Sequence, residues 1–318
     1  MDRIAFLSLF PFFLTFYLSP SGVISTTFTL VNKCDYTVWP GILSNAGVPP
    51  LSTTGFVLQT GASTTIAAPT SWGGRFWGRT LCSEDSTAKF TCVTGDCGSG
   101  KLECAGSGAA PPATLAEFTL DGAGGLDFFD VSLVDGYNVP MLVVPLGGSG
   151  EKCTATGCVG DLNDACPSEL KVMSADGREG VACKSACEAF NSPQYCCSGA
   201  YGSPDTCKPS SYSEIFKNAC PRAYSYAYDD KTSTFTCASA DYTITFCPSP
   251  TTSQKASQEQ QNGSSATTPL LNNGTMVYEG GFDQSEISWA TSSHVFQSRA
   301  VAGIVGVAMA MWRFSQLF

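Results

Sequence analysis

Sixteen cysteines constrain this chain more than any other feature of its sequence. All of them lie between Cys34 and Cys247, and their number is even. A dense, even set of cysteines is typical of a disulfide framework formed in the secretory route, so we expect eight disulfide bonds. Zinc ligation is the alternative, since Cys183 and Cys187 lie close together in the sequence, but metal sites rarely use sixteen thiols. We predict no metal ligand and no cofactor.

The N-terminal residues indicate the same oxidising route. The run from Ile4 to Leu18 is almost wholly apolar, and Pro20 and Gly22 end it. About 15 apolar residues are fewer than the ~20 that a membrane-spanning helix needs, which favours a cleaved signal peptide over a membrane anchor. We expect residues 1–25 to be this signal peptide and the mature chain to begin at Thr26, so that the protein is secreted to the extracellular space or the cell wall.

The charge of residues 26–248 disfavours two classes of partner. This stretch has 13 Lys and Arg against 22 Asp and Glu, a net charge of −9, without a run of basic residues. Nucleic acid and anionic lipid surfaces are negatively charged and suit such a chain poorly. A neutral polysaccharide or a protein with a basic surface suits it better, and we expect a monomer.

The single histidine removes several kinds of catalysis. His294 lies in the C-terminal tail. Residues 26–248 therefore have no Ser-His-Asp triad, no Cys-His pair and no His-ligated metal. Carboxylates remain as candidate catalytic groups, although most of the acidic excess is typical of a solvated surface.

Short β-rich runs separated by glycine and proline predict a mainly β protein, either a sandwich or a barrel. The best helix candidate is Ser211 to Asn218, with Ser213 as its cap. Two cysteine-dense segments, Cys82 to Cys104 and Cys153 to Cys220, predict separate loop-rich lobes. The predicted strands are Thr27 to Val31, Phe56 to Leu58, Leu115 to Leu120, Phe128 to Val134, Met141 to Val144 and Tyr242 to Phe246.

Several blocks of residues carry a family resemblance. One run holds a Thr-Gly-Asp-Cys core that ends at Cys97, and it is followed by Gly98 and Cys104; further blocks are Pro111 to Phe118, Asp127 to Met141, Cys220 to Tyr226 and Phe246 to Pro248. Together they resemble the thaumatin-like family of plant pathogenesis-related proteins, over essentially all of residues 26–248. Ala88 departs from the family signature, which usually has Gly there, and we expect only a local loop difference.

The resemblance implies a β-sandwich core domain with two smaller disulfide-rich lobes, and an acidic cleft between the core and the larger lobe. The core is expected at about 26–80, 111–152 and 221–248, the small lobe at about 81–110 and the large lobe at about 153–220. The family pattern also implies the disulfide pairs Cys34–Cys247, Cys82–Cys92, Cys97–Cys104, Cys153–Cys237, Cys158–Cys220, Cys166–Cys183, Cys187–Cys196 and Cys197–Cys207.

The acidic cleft of the family is lined by one Arg, one Glu and three Asp. These match Arg75, Glu117, Asp130, Asp135 and Asp229, with Asp230 next to Asp229 as the open alternative for the last position. Four carboxylates around one guanidinium cannot all ionise at their normal pKa, so we expect at least one raised pKa.

The cleft can bind a substrate or act on it. The resemblance favours an antifungal defence protein that binds β-1,3-glucan of fungal or plant cell walls through Arg75 and the four carboxylates. A weak endo-β-1,3-glucanase is one alternative, with Glu117 as general acid, Asp135 as base or nucleophile and Arg75 orienting them. A proteinaceous inhibitor of a xylanase or amylase is another, and a purely structural network a third; the fold does not choose among them.

The tail differs from the short family members. Residues 249–299 are rich in Ser, Thr, Gln and Asn, which predicts a disordered stalk, and sequons at Asn262 and Asn273 predict N-glycosylation. Residues 300–318 form a hydrophobic tail that begins soon after a stretch of small residues ending at Ser293.

This arrangement resembles a GPI-attachment signal with Ser292 as the attachment site, which would hold the protein on the outer face of the plasma membrane. Attachment at Ala290 or Ser288 would lengthen a spacer that is short for such a signal. A short or tilted transmembrane span and a tail that is simply secreted are the alternatives, so membrane contact is expected only through this tail.

Overall fold

Two β-sheets pack face to face in the computed structural model, which describes residues 25–249. The first sheet has five strands in the order β3-β1-β13-β8-β9, with a parallel pairing between β1 and β13 at its centre. Its strands are β1 (Thr26–Asn32), β3 (Ser63–Ala68), β8 (Met141–Leu146), β9 (Thr156–Cys158) and β13 (Asp241–Phe246).

The second sheet has six strands, with the order β12-β7-β6-β4-β2 and an additional pairing of β5 with β4. Its strands are β2 (Trp39–Ser44), β4 (Gly73–Glu84), β5 (Phe90–Thr94), β6 (Leu115–Thr119), β7 (Asp127–Ser132) and β12 (Phe235–Cys237). The predicted mainly β sandwich is therefore confirmed.

Aromatic side chains fill the space between the two sheets. Phe28 lies 4.8 Å from Phe76 and 4.7 Å from Phe118 between ring centroids, and Tyr242 lies 5.1 Å from Phe129. These side chains are buried between the sheets, and successive residues of a strand project to opposite faces. The residues next to Phe76, Phe118 and Phe129 in their strands therefore project from the outer face of the six-stranded sheet.

The small lobe covers one end of that outer face. The indole N–H of Trp77 donates to the carbonyl of Gly95 over 2.8 Å, and Trp77 is fully buried. Arg79 is also fully buried and donates to the carbonyls of Trp39 and Leu102. The other end of the outer face, where Arg75 lies, is not covered in this way.

The large lobe holds most of the helices. Two-stranded pairing joins β10 (Lys171–Met173) to β11 (Gly180–Cys183). The helices are α1 (Leu162–Ala165), α2 (Ala186–Phe190), α3 (Pro193–Cys196), α4 (Ser211–Ala219) and, after the lobe, α5 (Asp230–Ser233), with 3-10 turns at Ala123–Gly125 and Gly199–Tyr201.

The predicted helix at Ser211 is present, but its N-cap lies one turn before Ser213, the residue that the sequence pattern indicates. Ser210 is the N-cap, and its hydroxyl accepts from the backbone N–H of Ser213 over 3.1 Å. The hydroxyl of Ser213 accepts in return from the N–H of Ser210 over 2.8 Å. Both serines fit the sequence pattern of a cap, and the reciprocal pair is a capping box.

Eight disulfide bonds link all sixteen cysteines, and no free cysteine remains in residues 25–249. The pairs are those that the family resemblance implies: Cys34–Cys247, Cys82–Cys92, Cys97–Cys104, Cys153–Cys237, Cys158–Cys220, Cys166–Cys183, Cys187–Cys196 and Cys197–Cys207. Cys196 and Cys197 thus reach different partners, and Cys34–Cys247 ties the two ends of the domain together.

One predicted strand is wrong. Phe56 to Leu58 makes only an isolated bridge between Leu58 and Val38, with a second bridge between Gly55 and Gly41.

The signal peptide, the sequons at Asn262 and Asn273, and the GPI site at Ser292 lie outside the described residues. Within residues 25–249, no helix is both long and apolar enough to cross a membrane.

Candidate functional site

Three charged side chains form a row across the outer face of the six-stranded sheet. Arg75 on β4 is paired with Glu117 on β6, and Glu117 is paired with Asp130 on β7. Directly paired residues of neighbouring strands project to the same side of a sheet, so the three side chains lie next to each other. We call Arg75, Glu117 and Asp130 the acidic row.

The first pair of the row is a loose ion pair that solvent can reach. Nη1 of Arg75 lies 3.8 Å from Oε1 of Glu117, and the two side chains are 23% and 37% exposed. At this distance the guanidinium neutralises part of the carboxylate charge without a close hydrogen bond. Glu117 is therefore open to a ligand while it remains next to a fixed positive charge.

The pKa of Glu117 is raised. Its partial burial among neighbouring protein atoms is the largest cause; Arg75 lowers the pKa and the Asp135 carboxylate raises it further. Asp135 lies in the turn after β7, where its carbonyl accepts from the N–H of Ala113 over 3.0 Å. The turn places Asp135 close enough to Glu117 for the two charges to interact.

Asp130 has the more strongly raised pKa. Burial again contributes most, the carboxylates of Glu117 and Asp230 add to it, and Arg75 opposes them. Its Oδ2 atom is buried and has no hydrogen-bond partner among residues 25–249. An ionised carboxylate is costly in such surroundings, so this group favours its protonated form.

The structure separates the roles of the two adjacent aspartates near the end of the domain. Asp229 forms an ion pair with Lys217, at 2.8 Å between Nζ and Oδ2, and also accepts from Ser225. Asp230 instead accepts from the hydroxyl of Tyr224 over 2.8 Å, and it is the neighbour that raises the pKa of Asp130. The geometry therefore favours Asp230 as the further carboxylate beside the acidic row, with Asp229 in an internal network.

No pattern in the sequence indicates Tyr224 as a site residue. It is buried, and burial with the charge of Asp130 raises its pKa. Its backbone N–H donates to the carbonyl of Val131 on β7, which holds it beside the acidic row. The block around Cys220 that carries the family resemblance contains Tyr224, but nothing in its spacing indicates contact with Asp230.

A small cavity of about 30 Å³ lies where the large lobe meets the core. Val134 and Tyr226 line it from the core side, and Tyr195 and Lys208 from the lobe. A separate cavity of about 600 Å³ lies beside β8 and β9 and is lined by Leu142, Thr154 and Arg222, among others. None of the acidic row lines either of these two cavities. Arg75 and Glu117 are partly exposed on the outer face of the sheet, whereas Oδ2 of Asp130 is buried.

A sequence model of the thaumatin family matches residues 32–248. This chain belongs to the thaumatin family. The resemblance predicted from the sequence blocks is thereby confirmed, and the match covers both disulfide lobes and every described strand except β1, of which it includes only Asn32.

Three similar plant proteins illustrate the range of names within the thaumatin family. Thaumatin-like protein 1 of Arabidopsis thaliana is 64% identical over 234 residues, covering 72% of this chain and 88% of that protein. Pathogenesis-related protein 5 of Arabidopsis thaliana is 60% identical over 236 residues, covering 74% and 96%. A Prunus avium protein named glucan endo-1,3-beta-glucosidase is 54% identical over 232 residues, covering 73% and 94%.

The chemistry available to this thaumatin-family chain follows from its carboxylates. Glu117 and Asp130 can hold protons at a pH where ordinary carboxylates are ionised, so each can donate as well as accept a hydrogen bond. Sugar hydroxyls need both kinds of partner. No group of three or more His, Cys, Asp or Glu in residues 25–249 is arranged to hold a metal ion.

Proposed function

We propose that this protein binds β-1,3-glucan of fungal or plant cell walls through the acidic row, as a defence protein that is secreted or held at the cell surface. The observation that carries the proposal is the alignment of Arg75, Glu117 and Asp130 across three neighbouring strands, with Arg75 and Glu117 partly exposed. Fixed donors and acceptors at strand spacing can meet successive hydroxyls of a polysaccharide. The relative named for glucan endo-1,3-beta-glucosidase supports this choice of sugar.

The charge of the site supports a neutral ligand. Asp135 and Asp230 add two further carboxylates near the acidic row, and Arg75 is the cation within it. An anionic polysaccharide would be repelled by this excess of negative charge, whereas an uncharged glucan would not. The pathogenesis-related names of relatives in the same family support the defence role.

Weak hydrolysis of the same glucan is the second candidate, because Glu117 has a raised pKa beside another carboxylate. Glu117 would protonate the glycosidic oxygen as the bond from C1 breaks, and Asp135 would either activate a water molecule or attack C1 directly. Since the acid must be protonated, its activity would fall as the pH rises through the raised pKa of Glu117.

Binding and hydrolysis are separated by assaying both on the same variants. We expect the domain of residues 26–248 to be retained on insoluble β-1,3-glucan. Glu117→Gln should weaken retention roughly 3- to 10-fold, because a neutral amide accepts a hydrogen bond from a sugar hydroxyl less strongly than a carboxylate does. Asp176→Asn, an exposed change in the large lobe, should leave retention unchanged. Absence of glucan retention by the wild-type domain would refute the proposal.

Reducing-sugar release on the same samples tests the second candidate. Turnover by the wild type that is lost in both Glu117→Gln and Asp135→Asn would establish the carboxylate pair as a glucanase. Retention without turnover would leave a glucan-binding protein and reject the hydrolytic alternative.

A further inference from the structure

Three aromatic side chains of the large lobe form a partly exposed cluster, and one of them, Tyr212, also packs against the edge of the core. Phe190, Tyr195 and Tyr212 lie at ring-centroid distances of 5.2 to 5.8 Å from one another. Phe190 is 41% exposed, and the two tyrosines are partly exposed. We call these three residues the aromatic platform. An exposed group of large rings is a common sign of a binding surface.

The platform is held rigidly by the structure of the lobe. Phe190 ends α2 and Tyr195 lies in α3, and the Cys187–Cys196 disulfide joins these two helices. Tyr212 lies in the first turn of α4, and its hydroxyl donates to Oε1 of Glu169 over 3.3 Å. Rings that are already fixed lose little conformational entropy when a ligand stacks on them.

The platform is continuous with the surroundings of the acidic row. Tyr195 lines the small cavity at the lobe junction together with Tyr226 and Val134. Ser225 also lines this cavity, and it donates to Oδ2 of Asp229, the residue next to Asp230. Asp230 in turn acts on Asp130 of the acidic row. A chain of neighbouring side chains thus leads from the row to the platform.

We propose that a β-1,3-glucan chain bound at the acidic row continues onto the large lobe, where its sugar rings stack on Phe190 and Tyr212 of the aromatic platform. This inference rests on the proposed function. A pyranose ring has an apolar face of C–H groups that packs against an aromatic ring, and its hydroxyls remain in water. The platform then adds affinity for chains that are long enough to reach it.

A neutral sugar polymer fits this surface better than a protein or a second copy of the chain. The platform is small, since it offers three rings on short helices, and the only charged group bonded to it is Glu169 among the described residues. A stable protein interface needs about 800 Å² from each partner, which three partly exposed rings do not supply. A sugar chain needs only one ring per stacked unit.

Titration calorimetry with β-1,3-glucan oligosaccharides of increasing length, from the trimer upward, tests the inference on the domain of residues 26–248. We expect the affinity of the wild type to rise with chain length. The double variant Phe190→Ala/Tyr212→Ala should bind the longest chains roughly 5- to 30-fold more weakly, because one or two ring contacts are lost. Its affinity for the trimer should be unchanged. Tyr201→Ala is the matched control, because Tyr201 is an exposed tyrosine of the same lobe outside the platform.

A loss of folding is distinguished from a loss of stacking by Phe190→Leu, which keeps an apolar side chain without a ring and should show the same direction of change at an unaltered melting temperature. Equal affinity of the variants and the wild type for long chains, or an equal loss at every length, would overturn the inference and leave the proposed function standing. Self-association that the variants abolish would also overturn it. Absence of binding at any length in the wild type would refute the proposed function and this inference with it.

Discussion

Asp130 shows how a single residue of the site opposes the stability of the fold. Its pKa is raised in the folded protein by burial and by Glu117 and Asp230, and its Oδ2 lacks a hydrogen-bond partner among the described residues. Between its unfolded and folded pKa values the native state binds more protons than the unfolded state. The free energy of unfolding therefore falls as the pH rises through this window.

Asp130→Asn should remove this penalty. We expect the variant to be more stable than the wild type by about 1 kcal/mol at neutral pH, with the difference vanishing at acid pH where Asp130 is protonated. Urea unfolding with the disulfides intact, repeated across the pH range, measures the effect. A variant that is less stable than the wild type at neutral pH would show that ionised Asp130 contributes to the fold instead.

Asp176→Asn is a control in which the pKa of the replaced carboxyl is lowered by the fold and not raised. Asp176 is exposed, and hydrogen bonds from Ser174 and from the backbone N–H of Arg178 lower its pKa. Its contribution is present above the unfolded pKa and is lost as the pH falls through the folded pKa. The two variants should therefore change the pH dependence of stability in opposite directions.

The two neighbouring aspartates, Asp229 and Asp230, show which part of the site cannot be predicted from the sequence. The resemblance implies Arg75, Glu117, Asp130 and Asp135 as site residues, since their motifs are distinctive. It could not choose between Asp229 and Asp230, because the choice depends on the turn before α5. There Lys217 of α4 pairs with Asp229, whereas Tyr224 bonds to Asp230. Such long-range partners leave no local signal.

Strand β4 is the element that links the acidic row, the core and the small lobe. Arg75 faces the open surface, Phe76 faces the core, and Trp77 and Arg79 lie under the small lobe. The sequence pattern does not predict this strand. Both its faces are buried over much of its length, so the polar and apolar alternation that indicated β1 and β13 is absent.

The glycines of β4 are a second reason why its sequence does not predict a strand. A Cβ on Gly74 would lie 2.4 Å from the carbonyl oxygen of Leu43, and one on Gly78 would lie 3.0 Å from the ring of Phe246. Glycine is therefore required where neighbouring elements approach closely, although it is otherwise rare inside strands. A requirement of this kind appears only when the packed sheet is known.

Arg79 should be essential to the junction between β4 and the small lobe. Its guanidinium donates to the carbonyls of Trp39 and Leu102 and lies 5.3 Å from the ring centroid of Phe90. Lysine cannot reproduce this planar fork, so we expect Arg79→Lys to lower the free energy of unfolding by about 2–4 kcal/mol. Equilibrium unfolding in guanidinium chloride measures this free energy. A loss no larger than that of Arg178→Lys, an exposed control, would contradict this role.

At the scale of the whole molecule, the two ends of the domain meet in the first sheet. The parallel pairing of β1 with β13 brings residues about 214 positions apart into register, as for Phe28 with Tyr242. The family resemblance implied the bridge beside this pairing, but cysteine spacing alone could not, because sixteen cysteines allow very many connectivities. The Cys34–Cys247 disulfide closes the longest loop, with a sequence separation of 213.

Removing this disulfide should cost more than removing a short one. In the loop-entropy description, the loss is about 5 kcal/mol for a loop of this length and about 3 kcal/mol for a loop of the Cys187–Cys196 size. We therefore expect Cys34→Ala/Cys247→Ala to melt roughly 4–8 °C below Cys187→Ala/Cys196→Ala, as measured by calorimetry. Equal melting temperatures would mean that the other cross-links, including Cys153–Cys237 with its separation of 84, already restrict the unfolded chain as strongly. In that case the end-to-end bridge would act mainly against fraying of β1 and β13, and faster amide exchange confined to those two strands would be its measurable consequence.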